Sequence, residues 1–218
     1  HLVDRLRFVP SINEILVATT TNQKDDDLCN FLKKKKIKYY RGEEHNVLDR
    51  VTKAAEKYKI KNIVQITGDC PLIDPFIVSQ VINIYNNNNF DFVSNGNIRT
   101  YPDGMDVSVF SKKKLIIANN LAKKKYYREH VTLFFRKKKN LFTQCNVMAP
   151  INLHYPKLGL TLDELNDFKL IDKIITNFSK SKKIFTCLDI INYLKKNPKI
   201  LKINNKVKRK GVPIKLKN

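Results

Sequence analysis

Asp69 sits in the stretch QITGDCPLID, directly after an apolar run over residues 63–67 that reads as a β-strand. Gly68 in front of it permits close backbone approach, and Pro71 behind it stiffens the turn. A carboxylate held at a sheet rim in this way suits Mg²⁺, which takes one or two carboxylates and fills its shell with substrate phosphates and water. Asp163 repeats the pattern, ending a second apolar stretch over 158–162 just before a helix. Spacing alone leaves another role open for each, since an aspartate in either place also serves as a helix cap or turn residue. The two can share a cation only if their strands are neighbours, which local sequence does not say.

The elements that must position these acids alternate. Residues 2–9 have helical spacing (Leu2, Leu6, Val9), and 14–20 read as a strand. A helix over 25–35 turns Leu28, Phe31 and Leu32 inward, and 37–41 form a second strand. Asn46 is a natural cap for a helix through Val47, Val51, Ala54, Ala55 and Tyr58. The strand over 63–67 breaks at Gly68, and Pro75 opens a helix over 76–85. Strand–helix alternation of this kind predicts an α/β fold, a three-layer, Rossmann-like arrangement with helices on both faces of a mostly parallel sheet. Ligands of such sheets sit beyond the carboxyl ends of the strands. Further on, strands are expected over 90–94, 106–110, 141–147 and 158–162, and helices over 112–123, 129–137, 164–178 and 188–196. In the helix over 164–178, Leu165, Phe168, Ile171, Ile174 and Ile175 have core spacing. Residues 1–196 read as one domain and 197–218 as a basic tail, irregular over 206–218, with no internal repeat.

Bulk properties narrow the classes. A chain of 218 residues with 42% hydrophobic and 28% charged content can bury a real core. No apolar run approaches the roughly 18–20 residues that a membrane-spanning helix needs. Cys29, Cys70, Cys145 and Cys187 are scattered, without a CxxC pair or metal-ligand spacing, a usage that suits a reducing cytoplasm. The net charge of +22 invites a nucleic-acid reading, but only eight of the 42 basic residues are Arg and Asn supplies another 24 positions. Base readers favour the planar Arg fork. Runs such as 33–36 (Lys), 86–89 (Asn) and 137–139 (Lys) read as solvated surface, so the composition argues against dedicated nucleic-acid binding.

Five motifs occur in an order shared with one family: YRGEEHNVLDRV, QITGDCPLID, RTYPDGMDVSVF, REHVT and LTLDELNDFKLI. Over residues 2–170 the chain resembles the cytidylyltransferases that make CMP-sugars, of the acylneuraminate and KDO kind, and most closely their spore-coat-polysaccharide branch. The resemblance implies a nucleotide-diphospho-sugar transferase fold. It also implies an enzyme that joins CTP to the hydroxyl of an acidic or modified sugar, releasing pyrophosphate. Asp69 and Asp163 would hold Mg²⁺ against the triphosphate. Arg41, Asp49 and Arg50 match the segment that contacts base and ribose, with Thr19, Thr20 and Gly68 lining the nucleotide pocket. Tyr101, Asp103 and Asp106 would face the sugar. Arg128, Glu129 and His130 form a polar trio in which Arg128 takes a substrate carboxylate or phosphate. Plainer roles stand beside these: Asp103-Gly104 as a turn pair, Glu129 as a first-turn helix acid, His130 as a satisfied histidine. A homodimer is the assembly the resemblance implies.

The chain departs from the family in two places. Glu164 and Leu165 follow Asp163, where the family usually has a small residue and proline. The family also begins with a central strand and a basic, glycine-rich triphosphate loop, and no residues here match them. The expectation is therefore of an incomplete copy of a longer chain, which by itself folds poorly and lacks turnover. Two other readings compete. In a nucleotide-sugar-dependent glycosyltransferase the acids Asp25, Asp26 and Asp27 would stand in for the usual DxD pair; in a basic binding protein the tail over 206–217 would carry the affinity.

Overall fold

The computed structural model of the chain, which describes residues 1–179 and 184–209, opens with a short helix α1 (Leu2–Leu6). Two parallel strands follow, β1 (Leu16–Thr20) and β2 (Lys38–Gly42), linked through a 3₁₀ turn (Gln23–Asp25) and helix α2 (Asp26–Lys34). Their register sets Thr19 opposite Arg41 and Thr20 opposite Gly42, so both strands end at one rim. Helix α3 (Val47–Lys57) starts where the Asn46 side chain accepts the Asp49 N–H at 3.3 Å. Strand β3 (Asn62–Gln65) leads into the Asp69 turn and then helix α4 (Pro75–Asn86), with Pro in its first turn and Asp74 as cap.

Strands β4 (Phe92–Ser94) and β5 (Ser108–Ser111) are antiparallel, and their register shows how two faces arise. Phe92 pairs with Phe110, and Val93 pairs with Val109 one step along. Successive strand side chains point to opposite faces. The phenylalanines therefore enter one core, where Phe135 stacks on both at 5.2 and 4.9 Å, and the valines enter the other. Helix α5 (Lys112–Leu121) follows β5 and covers the phenylalanine face together with α3, α6 (Lys125–Glu129) and α7 (Leu133–Lys137). The valine face is covered by α4, α8 (Leu165–Ser179) and α9 (Cys187–Lys196), whose Thr186 cap forms a reciprocal capping box with Asp189. Strand β6 (Gln144–Asn146) runs parallel to β4, and a last helix, α10 (Pro198–Leu201), lies beside α9 and α8.

The strands form two groups, β1-β2 and β3-β5-β4-β6, the second mixed because β5 is antiparallel to both neighbours. Among the described residues no ladder joins β1 to β3. Helix α3 ties the groups on one face, lying against β1 and β2 while Leu48 and Ala55 share a cluster with Ile63 and Phe110. On the other face Ile12 and Ile15 pack into the same cluster as Val64 and Ile66. Among the described residues no helix is long and apolar enough to cross a membrane.

Four elements differ from the reading of local pattern. In α2 the buried stripe is Cys29 and Leu32, whereas Leu28 and Phe31 lie on the exposed flank (Phe31 is 53% exposed). Of the helix expected over 129–137 only its second half forms, as α7, while α6 ends at Glu129, because burying Val131 together with consecutive Leu133, Phe134 and Phe135 exceeds one helical stripe. In α8 the buried stripe begins at Asp167 and runs through Leu170, Ile171, Ile174 and Phe178, leaving Leu165 67% exposed and Phe168 outside. Residues 158–162 form no strand, only a bridge between Asp103 and Gly159. The end of the expected basic tail, residues 210–218, lies outside the described residues.

Candidate active site

The question left open by sequence, whether Asp69 and Asp163 are neighbours, is answered by one backbone bond. The amide of Leu162 donates to the carbonyl of Asp69 at 2.8 Å, so the two turns are stitched one residue from Asp163. Each acid is also held by a threonine two residues before it. The Thr67 hydroxyl donates to Asp69 Oδ1, and the Thr161 hydroxyl donates to Asp163 Oδ2 at 3.0 Å. One oxygen of each carboxylate is thus fixed, and among the described residues the other has no hydrogen bond. A third loop joins from the sugar-facing motif. The Asp103 amide donates to the Leu158 carbonyl at 2.8 Å, and the Leu160 amide donates back to the Asp103 carbonyl at 2.7 Å. This crossing requires Gly104, whose φ is +101° and whose missing Cβ would lie 2.8 Å from the Leu160 carbonyl carbon and oxygen.

Around these loops lie Arg99, Asp106 and Arg136. Arg99 is ion-paired with Asp103, and its other guanidinium nitrogen lies 3.3 Å from Asp106. Burial pushes the Asp106 carboxyl above its ordinary value; Arg99 and Arg136 pull it down, while Asp103 and Asp69 add to the rise. The Arg136 guanidinium donates to the Gly96 carbonyl at 2.6 Å, its one side-chain hydrogen bond among the described residues. Burial lowers its pKa, with Asp106 acting the other way. Arg99 carries a sequence signal in retrospect, being four residues before Asp103; Arg136 has only its type, a lone Arg ahead of a lysine run. Tyr101 does not face this group. It is buried, and its hydroxyl donates to Gln80 on α4 at 3.2 Å, so it packs the loop from below.

A second group sits at the ends of β1 and β2. Asp25 accepts from the hydroxyls of Thr19 and Thr20, each at 2.6 Å, and from the Thr20 amide, bonds that draw its carboxyl down to about 2. Arg41 donates to the carbonyls of Thr20 (2.8 Å) and Asn22 (2.9 Å) and pairs with Asp26 at 2.7 Å. Asp25 is therefore committed to this loop, and Asp26 is paired with Arg41 across it. Arg50 packs under Gly42, where an added Cβ would approach its Cγ to 2.8 Å, and donates to the carbonyls of Glu43 and Glu44.

Asp49 lies apart from these residues, between helices. It binds Lys53 at 2.8 Å and Asn119 of α5 at 3.3 Å, with Arg128 3.9 Å away. The Arg128 guanidinium donates to the carbonyls of Asn119 (2.6 Å) and Ala122 (3.4 Å). Its polar partners are thus the end of α5 and Asp49, not Asp69 or Asp163. Glu129 is exposed and His130 half-buried; among the described residues neither side chain has a hydrogen bond or ion pair.

The donor set fits Mg²⁺. Asp69 and Asp163 are half-buried hard-oxygen donors on stitched turns, and among the described residues neither is neutralised by an ion pair. Among those residues no three acid, histidine or cysteine side chains form a closed cage. Two such carboxylates suit a cation held by one or two protein oxygens and finished by substrate phosphates. Gly68 stands beside it in open space, since a Cβ there would meet nothing within 4 Å. Gly68→Ala is therefore expected to leave thermal stability within a degree or two yet reduce turnover about tenfold, if a triphosphate lies against this backbone. Unchanged turnover would show that nothing approaches there.

A family model described as cytidylyltransferase matches residues 1–206. The protein MJ1063 of Methanocaldococcus jannaschii, described as uncharacterized, is 35% identical over 213 residues, covering 96% of this chain and 84% of its own length. The spore coat polysaccharide biosynthesis protein SpsF of Bacillus subtilis is 28% identical over 202 residues, with 90% and 82% covered. Among solved structures, a cytidylyltransferase from Leptospira borgpetersenii serovar Hardjo-bovis superposes with a TM-score of 0.84 at 30% identity, covering 92% of this chain and 83% of that one. A CMP:2-keto-3-deoxy-manno-octonic acid synthetase complexed with CTP shares the fold, with a TM-score of 0.53 at 11% identity over 82% and 86%.

Proposed function

Because the chain belongs to the cytidylyltransferase family, we propose that it joins CTP to a sugar hydroxyl, giving a CMP-sugar and pyrophosphate for surface-polysaccharide synthesis. The observation that carries this reading is the stitched pair Asp69–Asp163, with its two threonines, beside the loop of Arg99, Asp103 and Asp106. In such a transfer the sugar oxygen attacks the α-phosphorus in line, so the protein's work is positioning and charge neutralisation. Bound Mg²⁺ would offset the triphosphate charge. Asp69 and Asp163 would hold it through the oxygens not engaged by Thr67 and Thr161. Thr19, Thr20, Arg41 and Arg50 shape the rim that receives the nucleoside, acting through the loops they hold.

Asp103 and Asp106 are placed to accept hydrogen bonds from sugar hydroxyls, with Arg99 keeping both charged groups compensated. Arg136, with spare donors beside Asp106, is the group we assign to an acidic substituent on the sugar. The same proposal takes a homodimer as the assembly and the cytoplasm as the location; all four cysteines are free, which suits a reducing compartment. The test is pyrophosphate release from CTP, UTP, ATP and GTP against a panel of acidic and neutral sugars. CTP-dependent release with an acidic sugar is the expected result. Release with UTP in preference to CTP, or sugar transfer from a nucleotide-sugar without pyrophosphate, would sink the proposal.

A further inference from the structure

Asp167 lies one helical turn beyond Asp163, and its carboxylate is fully buried. Its Oδ2 accepts the backbone amides of Asp163 (3.3 Å) and Glu164 (3.0 Å). Its Oδ1 accepts from Asn204 Nδ2 at 2.7 Å and from Arg209 Nη1 at 2.8 Å. The segment after α10 therefore reaches back to the turn that carries Asp163, and Asn204 adds a bond to the Gly159 carbonyl at 3.0 Å. Arg209 makes one more contact: the same Nη1 lies 3.3 Å from Thr161 Oγ1.

That last contact settles a proton. Guanidinium nitrogens only donate, so Thr161 Oγ1 must accept from Arg209. The threonine hydroxyl hydrogen is then directed to its other partner, Asp163 Oδ2 at 3.0 Å. Arg209 thus acts on Asp163 from both ends. Through Asp167 it holds the Asp163 backbone amide, and through Thr161 it holds one carboxylate oxygen. A positive group in this place also keeps the buried Asp167 ionised, its carboxyl held below the ordinary value by Asn204 and Arg209 in spite of burial.

We propose that Arg209 is a positioning residue for the reaction, orienting Asp163 toward the metal through Thr161 and Asp167. The inference rests on the reading of Asp163 as a metal-holding carboxylate. It assigns a task to a basic segment whose composition reads as solvated charge. Gly159 is part of the device: a Cβ there would lie 2.1 Å from the Arg209 guanidinium carbon, so only glycine lets the side chain lie across this strip of backbone.

Two substitutions remove the guanidinium in different ways. Arg209→Ala deletes it, and Gly159→Ala displaces it while leaving Arg209, Asp167 and Asp163 in the chain. The readout is Mn²⁺ affinity in the presence of CTP, followed by electron paramagnetic resonance of the free ion, alongside the metal dependence of turnover. Both variants are expected to bind Mn²⁺ about ten- to hundredfold more weakly, the usual effect of losing a group behind a metal ligand. The metal concentration for half-maximal turnover should rise more than kcat falls, and Arg209→Lys should recover part of the loss. If Arg209→Ala fails to fold, Thr161→Val, which removes only the hydroxyl link, carries the test with Gly159→Ala. Parent-like Mn²⁺ affinity in these variants, with affinity lost in Asp163→Asn, overturns the positioning role alone. Parent-like affinity in Asp163→Asn overturns the metal reading beneath it.

Discussion

Asp69→Asn is expected to cut CTP turnover by about three orders of magnitude while leaving the fold as stable as the parent. A metal acting on a transferring phosphoryl group contributes several kcal/mol of charge stabilisation, and each ~1.4 kcal/mol is a factor of ten in rate. An amide in place of the carboxylate removes the anion but keeps an oxygen for the Thr67 hydroxyl. The turn itself depends on the backbone, through the Asp69 carbonyl and the Leu162 amide, and the substitution does not touch that bond. Activity and stability should therefore separate cleanly. Pyrophosphate release at saturating Mg²⁺ and the urea midpoint, measured on the same preparation, check both halves. Turnover within tenfold of the parent would remove Asp69 from the metal site. A parallel loss of stability would mean that the side chain holds the turn.

Asp74→Ala should produce the largest loss of stability, about 3 kcal/mol in urea unfolding, without changing any group that faces the substrates. Asp74 is buried where two helices begin. One oxygen accepts the Phe76 amide of α4 at 2.8 Å and the other accepts the Cys187 amide of α9 at 2.6 Å. Neither amide has a partner in its own helix, and each buried N–H left bare costs roughly 1–3 kcal/mol. The charge matters as well. Arg5 on α1 is buried nearby, donating to the carbonyls of Ile73 (2.6 Å) and Phe185 (2.7 Å), and burial lowers its pKa against the pull of Asp74. Asp74→Asn keeps one acceptor and should lose roughly half as much. A shift below about 0.5 kcal/mol in the alanine variant would mean that water replaces the carboxylate, contrary to the burial seen here.

Much of this molecule is legible from local pattern. Asn46, Pro75 and the stretch before α9 carry capping and turn chemistry that acts within a few residues, and helices start there. The acids at 69 and 163 are legible for the same reason, since each follows an apolar run and precedes a turn. Their threonines are local too, at the same two-residue spacing, and a search for a repeated T-x-D would have found them. What local pattern does not reach is anything joined by distant segments. Asp167 reads as a polar position on an amphipathic helix until Arg209 and Asn204 come to meet it. Arg128 sits in a compact polar trio and reads as a ligand, yet its Nη1 is turned to the carbonyls that end α5. Tyr101 lies in a polar motif, yet the ring is bulk for the core and the hydroxyl finds Gln80. Exposed Phe31 and Leu165 mislead the pattern the other way, because periodicity marks an apolar face without saying whether another element covers it.

The bond between the Leu162 amide and the Asp69 carbonyl has a consequence for substitution at position 162. The Leu162 side chain is itself substantially exposed, so most residue types fit the position. What the site requires from position 162 is a hydrogen on the main chain, which every amino acid but proline supplies. Proline is therefore the one substitution at 162 that removes the bond outright. The geometry of both acids passes through a position whose side chain is not what holds it.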